Sequence, residues 1–499
     1  MIAGQKHIIE KVYLEVNTTS EKSAYYIKNN VDSFLKDVLL LRLEKLLDEF
    51  DRNDKTVRFD ELRLDFFIQE WENDHEILHE FENSLRKKLN KELNISQPGE
   101  NAAEQNREIS AAQNREDVFL FFLENGFLPW YGKKSYISEL TQPDNWMKSL
   151  QSKSFREKIK TLFIQNENAL KRFAMQFPTI RSIYFLKAIR PREKGLEREI
   201  PSLLGFFPEK LRFQLIEILL QLSVLKENEK IIRNLHILAI SFLNSGIKTI
   251  KPEFEKAFQK LDEFVFQYYA EEKEMVSKVQ TIIENYRLNK LNEYLKEWKN
   301  ALKPAIDEEE KKAKQTNKKQ DKKPDDFFFD EEKPTEIIVQ NAGLVLLHPF
   351  LKTFFTEAGI LNENGNFYKE KHMHAVQALH FLATGNETFF EANMILEKFL
   401  VGLPLKMPVQ RESFLTDEIK TEANEMLRQV IKNWPALKNT SVDGLRQNFL
   451  QRDGKLLQTE NGFKLIVERK TQDILLEKLG WNISVVKFPW KERILFIEW

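Results

Sequence analysis

The segment 254-FEKAFQKLDEFVFQYY-269 sets Phe254, Phe258, Leu261, Phe264, Val265, Tyr268 and Tyr269 three or four residues apart, with few exceptions. That spacing gathers apolar groups on one side of an α-helix, whereas a strand, with its period of two, would scatter them over both faces. A helix is predicted over 251–302, with its aromatic stripe packed in a core. Working outward, the same period runs over 116–298 and is interrupted at Gly126, Pro129, Pro143, Pro178, Pro191, Pro201, Pro208 and Pro252. Proline lacks the amide that helices need and clashes with the preceding turn, so each break redirects the chain. A central helical domain, residues 116–303, is the expectation. The ends Leu128-Pro129, Phe177-Pro178 and Phe207-Pro208 are unevenly spaced, which speaks against a solenoid repeat.

Toward the N-terminus, Ile8, Val12, Leu14 and Val16 read as a half-buried strand. A helix capped by Thr19 or Ser20 follows, and its stripe (Ile27, Val31, Phe34, Leu35, Val38, Leu41, Leu46, Phe50) calls for a covering sheet. A second strand is predicted over 56–67, with a bulge near Asp60 to absorb a slip in parity. An amphipathic helix over 74–93 completes an N-terminal β-α-β-α domain, residues 1–95, and 94–114 reads as a loop. Residues 304–334 are dense in charge without helical spacing and read as a charged flexible linker. There Phe327, Phe328 and Phe329 stand among acidic residues; bare rings in water are costly, so they are candidates for contact with the chain's own domain or a partner.

The C-terminal part, 335–499, mixes classes. Helices are predicted at 349–358, 369–384, 387–401, 414–433, 441–450 and 471–479, and strands at 455–458, 463–468, 483–488 and 493–499. The expected fold class is mainly α with small α+β lobes: an N-terminal β-α-β unit, a central helical bundle, and a C-terminal α+β domain whose helices cover a small antiparallel sheet.

Composition narrows function. Across 499 residues, 76 Lys and Arg balance 77 Asp and Glu to a net charge of -1, so no long-range field favours a polyanion or an anionic membrane, and nucleic acid is not an expected partner. The absence of cysteine removes disulfides, thiolate metal sites and a cysteine nucleophile, and fits a reducing compartment. Lys6, His7, Glu10, Lys11 and Glu15 interrupt what a signal peptide would keep apolar, and the most apolar stretches, 213–225 and 231–243, are too short and polar to span a membrane. A soluble chain without membrane insertion is the expectation.

His75-Glu76-Ile77-Leu78-His79 matches the helical zinc-protease pattern, which sets two imidazoles one turn apart beside a water-activating glutamate. Only Glu100, Glu104 and Glu108, within a polar stretch, are on offer as a third ligand, and Leu78, Phe81, Leu85 and Leu89 already define a buried stripe, so a solvent-facing reading is preferred. His372, His374 and His380 cluster on paper, yet residues two apart on a helix diverge, and His380 shares a face with Met373, Val376 and Ala383 as structural histidines do. Phosphate-binding loops, nucleophile elbows and dinucleotide fingerprints are missing from the sequence. The expectation is no catalysis, no cofactor and no metal.

A series of words then carries a resemblance: Asn341-Ala342-Gly343-Leu344-Val345-Leu346-Leu347-His348-Pro349-Phe350-Leu351, Ala375-Val376-Gln377-Ala378-Leu379-His380-Phe381-Leu382-Ala383-Thr384-Gly385, Gly402-Leu403-Pro404-Leu405, Trp434-Pro435-Ala436-Leu437, Gly444-Leu445-Arg446, Phe449-Leu450-x-Arg452-x-Gly454 and Phe488-Pro489-Trp490. In this order, joined by His7-Ile8-Ile9-Glu10-Lys11, the strand at 58–66 and Glu124-Asn125-Gly126-Phe127-Leu128-Pro129-Trp130, they resemble the tape-measure protein family of contractile, phage-tail-like injection systems. The resemblance implies a structural part in tail assembly or in setting tube length, with tube, baseplate or other tail proteins as partners, in the cytoplasm during assembly and with retention in the particle left open. An adaptor or cargo-loading chaperone of the same system is the alternative, and a zinc metallohydrolase the second. A wholly helical chain would reach about 750 Å, but proline-broken helices do not make one rod, so a compact factor is favoured over an extended ruler. Among the words, Gly343 suits a close approach, Pro349 a helix start, Gly385 and Gly402 helix ends, and Trp434 a seal. Arg446 and Arg452 are candidate interaction residues, for which internal salt bridges are preferred.

Overall fold

Breaks and periodicity together set the elements of this computed structural model, which describes residues 7, 9, 12–50, 55–59, 61–68, 74–94, 107–225, 228–245, 250–288, 290–291, 293–297, 336–368, 371–459 and 462–499. The chain is mainly α with a small sheet near its C-terminal end. It divides into two units, residues 1–119 with 129–140, and residues 120–128 with 141–499. Among the described residues no helix is long and apolar enough to cross a membrane.

In the first unit, Ser20 accepts the Ser23 amide at 3.3 Å and so caps α1, Glu21–Phe34, which continues through a π turn, Leu35–Leu39, into α2, Leu40–Glu49. The stripe of this long helix is covered by another helix and not by the expected sheet. Phe34, Leu39 and Leu46 pack on Ile77, Phe81, Leu85 and Leu89 of α3, Asp74–Asn94, whose stripe has the matching period. Ion pairs Arg42–Glu82 and Arg86–Glu49 fasten the rim. Strand β1 is confined to Lys55–Arg58, and its antiparallel partner β2, Arg107–Ser110, comes from the stretch expected to be a loop. Residues 12–18 and 61–68 take no strand pairing; Leu62, Leu64 and Ile68 nevertheless lean on the helical core, so their alternation reported burial without a ladder partner. The bulge expected at Asp60 lies outside the described residues. The α4 helix, Ala111–Asn125, follows and runs from the first unit into the second after residue 119, while α5, Lys134–Leu140, belongs to the first.

The second unit holds α6 (Pro143–Ser149), α7 (Lys153–Gln165), α8 (Glu167–Gln176), α9 (Thr179–Ile189), α10 (Leu196–Leu204), α11 (Arg212–Val224), α12 (Asn228–Leu243), α13 (Ile250–Tyr268) and α14 (Lys273–Arg287). The single helix predicted over 251–302 is therefore broken: a turn closed by the Glu272 amide on the Tyr269 carbonyl separates α13 from α14, which pack together. The stripe itself is buried as predicted, with Phe254 stacked between Phe258 and Tyr286 at 4.3 and 4.4 Å.

The same unit contains β3 (Glu336–Val339), α15 (His348–Glu357), α16 (His372–Thr384), α17 (Ile395–Val401), α18 (Asp417–Asn433), α19 (Val442–Leu445), β4 (Gly454–Thr459), β5 (Gly462–Val467), β6 (Val485–Val486) and β7 (Ile494–Glu498). Its sheet runs β3-β4-β5-β7-β6 and is mixed where an antiparallel one was expected, because β7 enters between β5 and β6 and lies parallel to β5. The stretch between β5 and β7 holds a 3-10 helix, Thr471–Lys478, and is long enough for the crossover that parallel neighbours require. Val339, Leu456, Phe463, Leu465 and Leu495 are buried on one face, in a core shared with the helices. The other face exposes Ile338, Val485, Ile494 and Phe496 beside the ion pairs Lys455–Glu336 and Lys464–Glu498.

Candidate functional site

Helix α8 starts where Asn166 accepts the Ala169 amide at 3.2 Å, and its period puts Arg172 and Gln176 one turn apart on a buried side. Both are fully buried. Arg172 donates from Nε to Glu391 Oε2 at 2.9 Å, from Nη2 to the Lys406 carbonyl at 2.6 Å, and from Nη1 to the Leu123 carbonyl. The second carboxylate oxygen, Oε1, takes Lys398 Nζ, which also reaches the carbonyls of Leu405 and Met407 at 2.8 and 2.7 Å. Burial pushes the Lys398 ammonium down to about 8 against the upward pull of Glu391. Three acceptors match its three donors, which is what a buried cation requires. Gln176 extends the seam: its amide nitrogen donates to the Val409 carbonyl at 2.6 Å and its oxygen accepts the Glu391 amide at 3.0 Å. Arg411 returns the contact, donating to the Gln176 carbonyl at 3.1 Å.

Gly126 roofs this cluster. Its φ of +82° ends α4, and a Cβ there would lie 2.5 Å from Glu391 Oε1 and 2.8 Å from Arg172 Nη2. The Glu124-Asn125-Gly126 word thus has a packing reason.

Other words meet in the same way. Gly343 lies so close to the helical turn Arg446–Leu450 that a Cβ would stand 1.7 Å from the Phe449 carbonyl oxygen. Arg452, fully buried, donates to the Asn448 carbonyl at 2.7 Å, the Glu468 carbonyl at 3.3 Å and Asp473 Oδ1 at 2.6 Å. Arg446 donates to the Leu382 carbonyl at 3.1 Å, Asp443 Oδ1 at 3.0 Å and Asn424 Oδ1 at 3.0 Å. Both guanidiniums are turned inward and tie helix ends and strand ends of one lobe together. Four indoles do similar work: Trp434, Trp481 and Trp490 donate to the carbonyls of Leu475, Leu346 and Leu400, and Trp499 to Asp473. Phe327, Phe328 and Phe329 lie outside the described residues.

The histidines do not converge. His75 and His79 are exposed on α3, and His79 contacts Glu80 and Asn83. His372 lies by Phe367 and His374 stacks on Phe414, while His380 shares Glu397 Oε1 with Asn341, which adopts a left-handed φ of 57°. Among the described residues no three His, Cys, Asp or Glu side chains form a group able to hold a metal. Sequence reading passed over Arg172, Gln176, Glu391 and Lys398. The available signal was a charged pair, Glu397-Lys398, set in the apolar run Ile395 to Val401, where solvent exposure of both was never plausible.

The model of one family, described as contractile injection system tape measure protein, matches residues 6–499. No curated protein and no solved structure matches the chain.

Proposed function

The chain belongs to the contractile injection system tape measure protein family, a structural component taking part in tail assembly and length, and from that premise we propose that it acts through folded contact surfaces and not as an extended rod. The match over residues 6–499 carries the assignment to tail assembly. What supports the folded mode is the pairing of Arg172 with Glu391, 219 residues apart, inside a seam where Arg172, Glu391 and Lys398 have no exposure to water. Drawing this chain out along a tube would undo that pairing and return to water the apolar core of the same unit, whose burial is the main favourable term in folding. On this reading it binds tube, baseplate or other tail proteins during assembly in the cytoplasm and performs no catalysis.

Deleting the gene and imaging particles by negative-stain microscopy tests the proposal. Short, absent or variable-length tails are expected. Tails of normal length and normal content after deletion overturn it, and tails of normal length that are empty replace it with a cargo-loading role.

A further inference from the structure

We infer that the C-terminal lobe and the central helices of the second unit are matched non-covalent partners, so that a chain severed within residues 304–334 persists as a two-fragment complex. This stands independently of the role in tails. The lobe offers a carboxylate, Glu391, already bridged to Lys398, together with the outward carbonyls of Lys406 and Val409. What fits that face is a helix presenting a guanidinium and a carboxamide one turn apart, and α8 supplies both as Arg172 and Gln176. Neither side is satisfied alone. Without the lobe, Arg172 keeps only the Leu123 carbonyl among the partners given above; without the helix, the Glu391 amide and the Val409 carbonyl lose their acceptor and donor. Apolar contact reinforces the polar seam, since Phe122 stacks on Phe390 at 5.0 Å and Phe127 packs against the lobe core. Backbone contact adds the Arg411 amide on the Met175 carbonyl. Fully buried pairs are little screened by salt, and paired charges reject a misaligned partner.

The test uses the full chain carrying a specific protease site at residues 318–321. After cleavage, the fragments are expected to co-elute in gel filtration at one-to-one ratio and at the uncut volume, in 1 M NaCl as in buffer; separate elution overturns the inference. In the same chain, Glu391→Gln keeps the shape but leaves Arg172 and Lys398 without their anion. Its cleaved fragments should associate roughly a hundredfold more weakly, while circular dichroism of the uncut variant stays native. Should that variant fail to fold uncut, Gln176→Ala takes its place, with roughly tenfold weaker association expected from two lost hydrogen bonds. Lys187→Ala, which breaks an exposed pair with Glu197, should change nothing. Seam variants as tight as the parent overturn the assignment to these residues.

Discussion

Glu217 of α11 is buried, and its carboxylate oxygen accepts from Asn234 at 3.0 Å and Gln221 at 3.4 Å, with Lys171, Glu167 and Arg233 nearby. Burial raises its pKa from 4.5 to about 7. Between those values the folded chain holds a proton that the unfolded chain has released, so stability falls as pH rises through this window and the deficit is complete above about 7. Glu217→Gln should therefore be more stable than the parent at pH 8, by at most about 3 kcal/mol, with the difference fading toward pH 4; urea melts at both values measure it. Gly343 supplies a second residue-scale expectation. Gly343→Ala drives a methyl into the Phe449 backbone and should cost more than the ~1–3 kcal/mol of ordinary overpacking. Gly359→Ala meets nothing within 4 Å and should cost only the ~1 kcal/mol of its left-handed φ.

At the scale of elements, caps and stripes account for most of what could be read in advance. Thr416 accepts the Ile419 amide at 3.4 Å at the start of α18, so Thr416→Ala should cost about 1 kcal/mol and Thr416→Ser almost nothing, by thermal melting. The stripe over Phe254 to Tyr269 was legible because helix period is a local property. So were the starts and stops at Pro349, Gly385 and Gly402. Pairing was not, since alternation names the face a residue uses and is silent on the strand beside it. Alternation therefore puts Leu62 and Leu64 against the core without naming a ladder, polar composition hides the strand Arg107–Ser110, and the stripe of the long helix beginning at Glu21 is silent on whether a sheet or another helix covers it. The candidate seam was harder still, as Arg172 and Glu391 become neighbours only through tertiary folding, and an isolated Arg on a helix looks like any solvated one.

On the scale of the molecule, each unit has a core of its own, and the second is held by charges that are costly to orphan. Glu391→Ala leaves two buried cations without an anion, an expected loss of roughly 3–5 kcal/mol. Hydrogen exchange should show amides of Glu167–Gln176 and Ile395–Val401 losing protection together, as one cooperative block, while those of Asp74–Asn94 keep theirs. Separate loss at the two places would mean the seam does not couple them. Strand β7 bears on manufacture. It slots between two strands translated before it, so a ribosome must deliver residues 494–498 before that layer can close. A message cut short ahead of them yields a product with the β5 edge bare, a ready target for proteases and for aggregation.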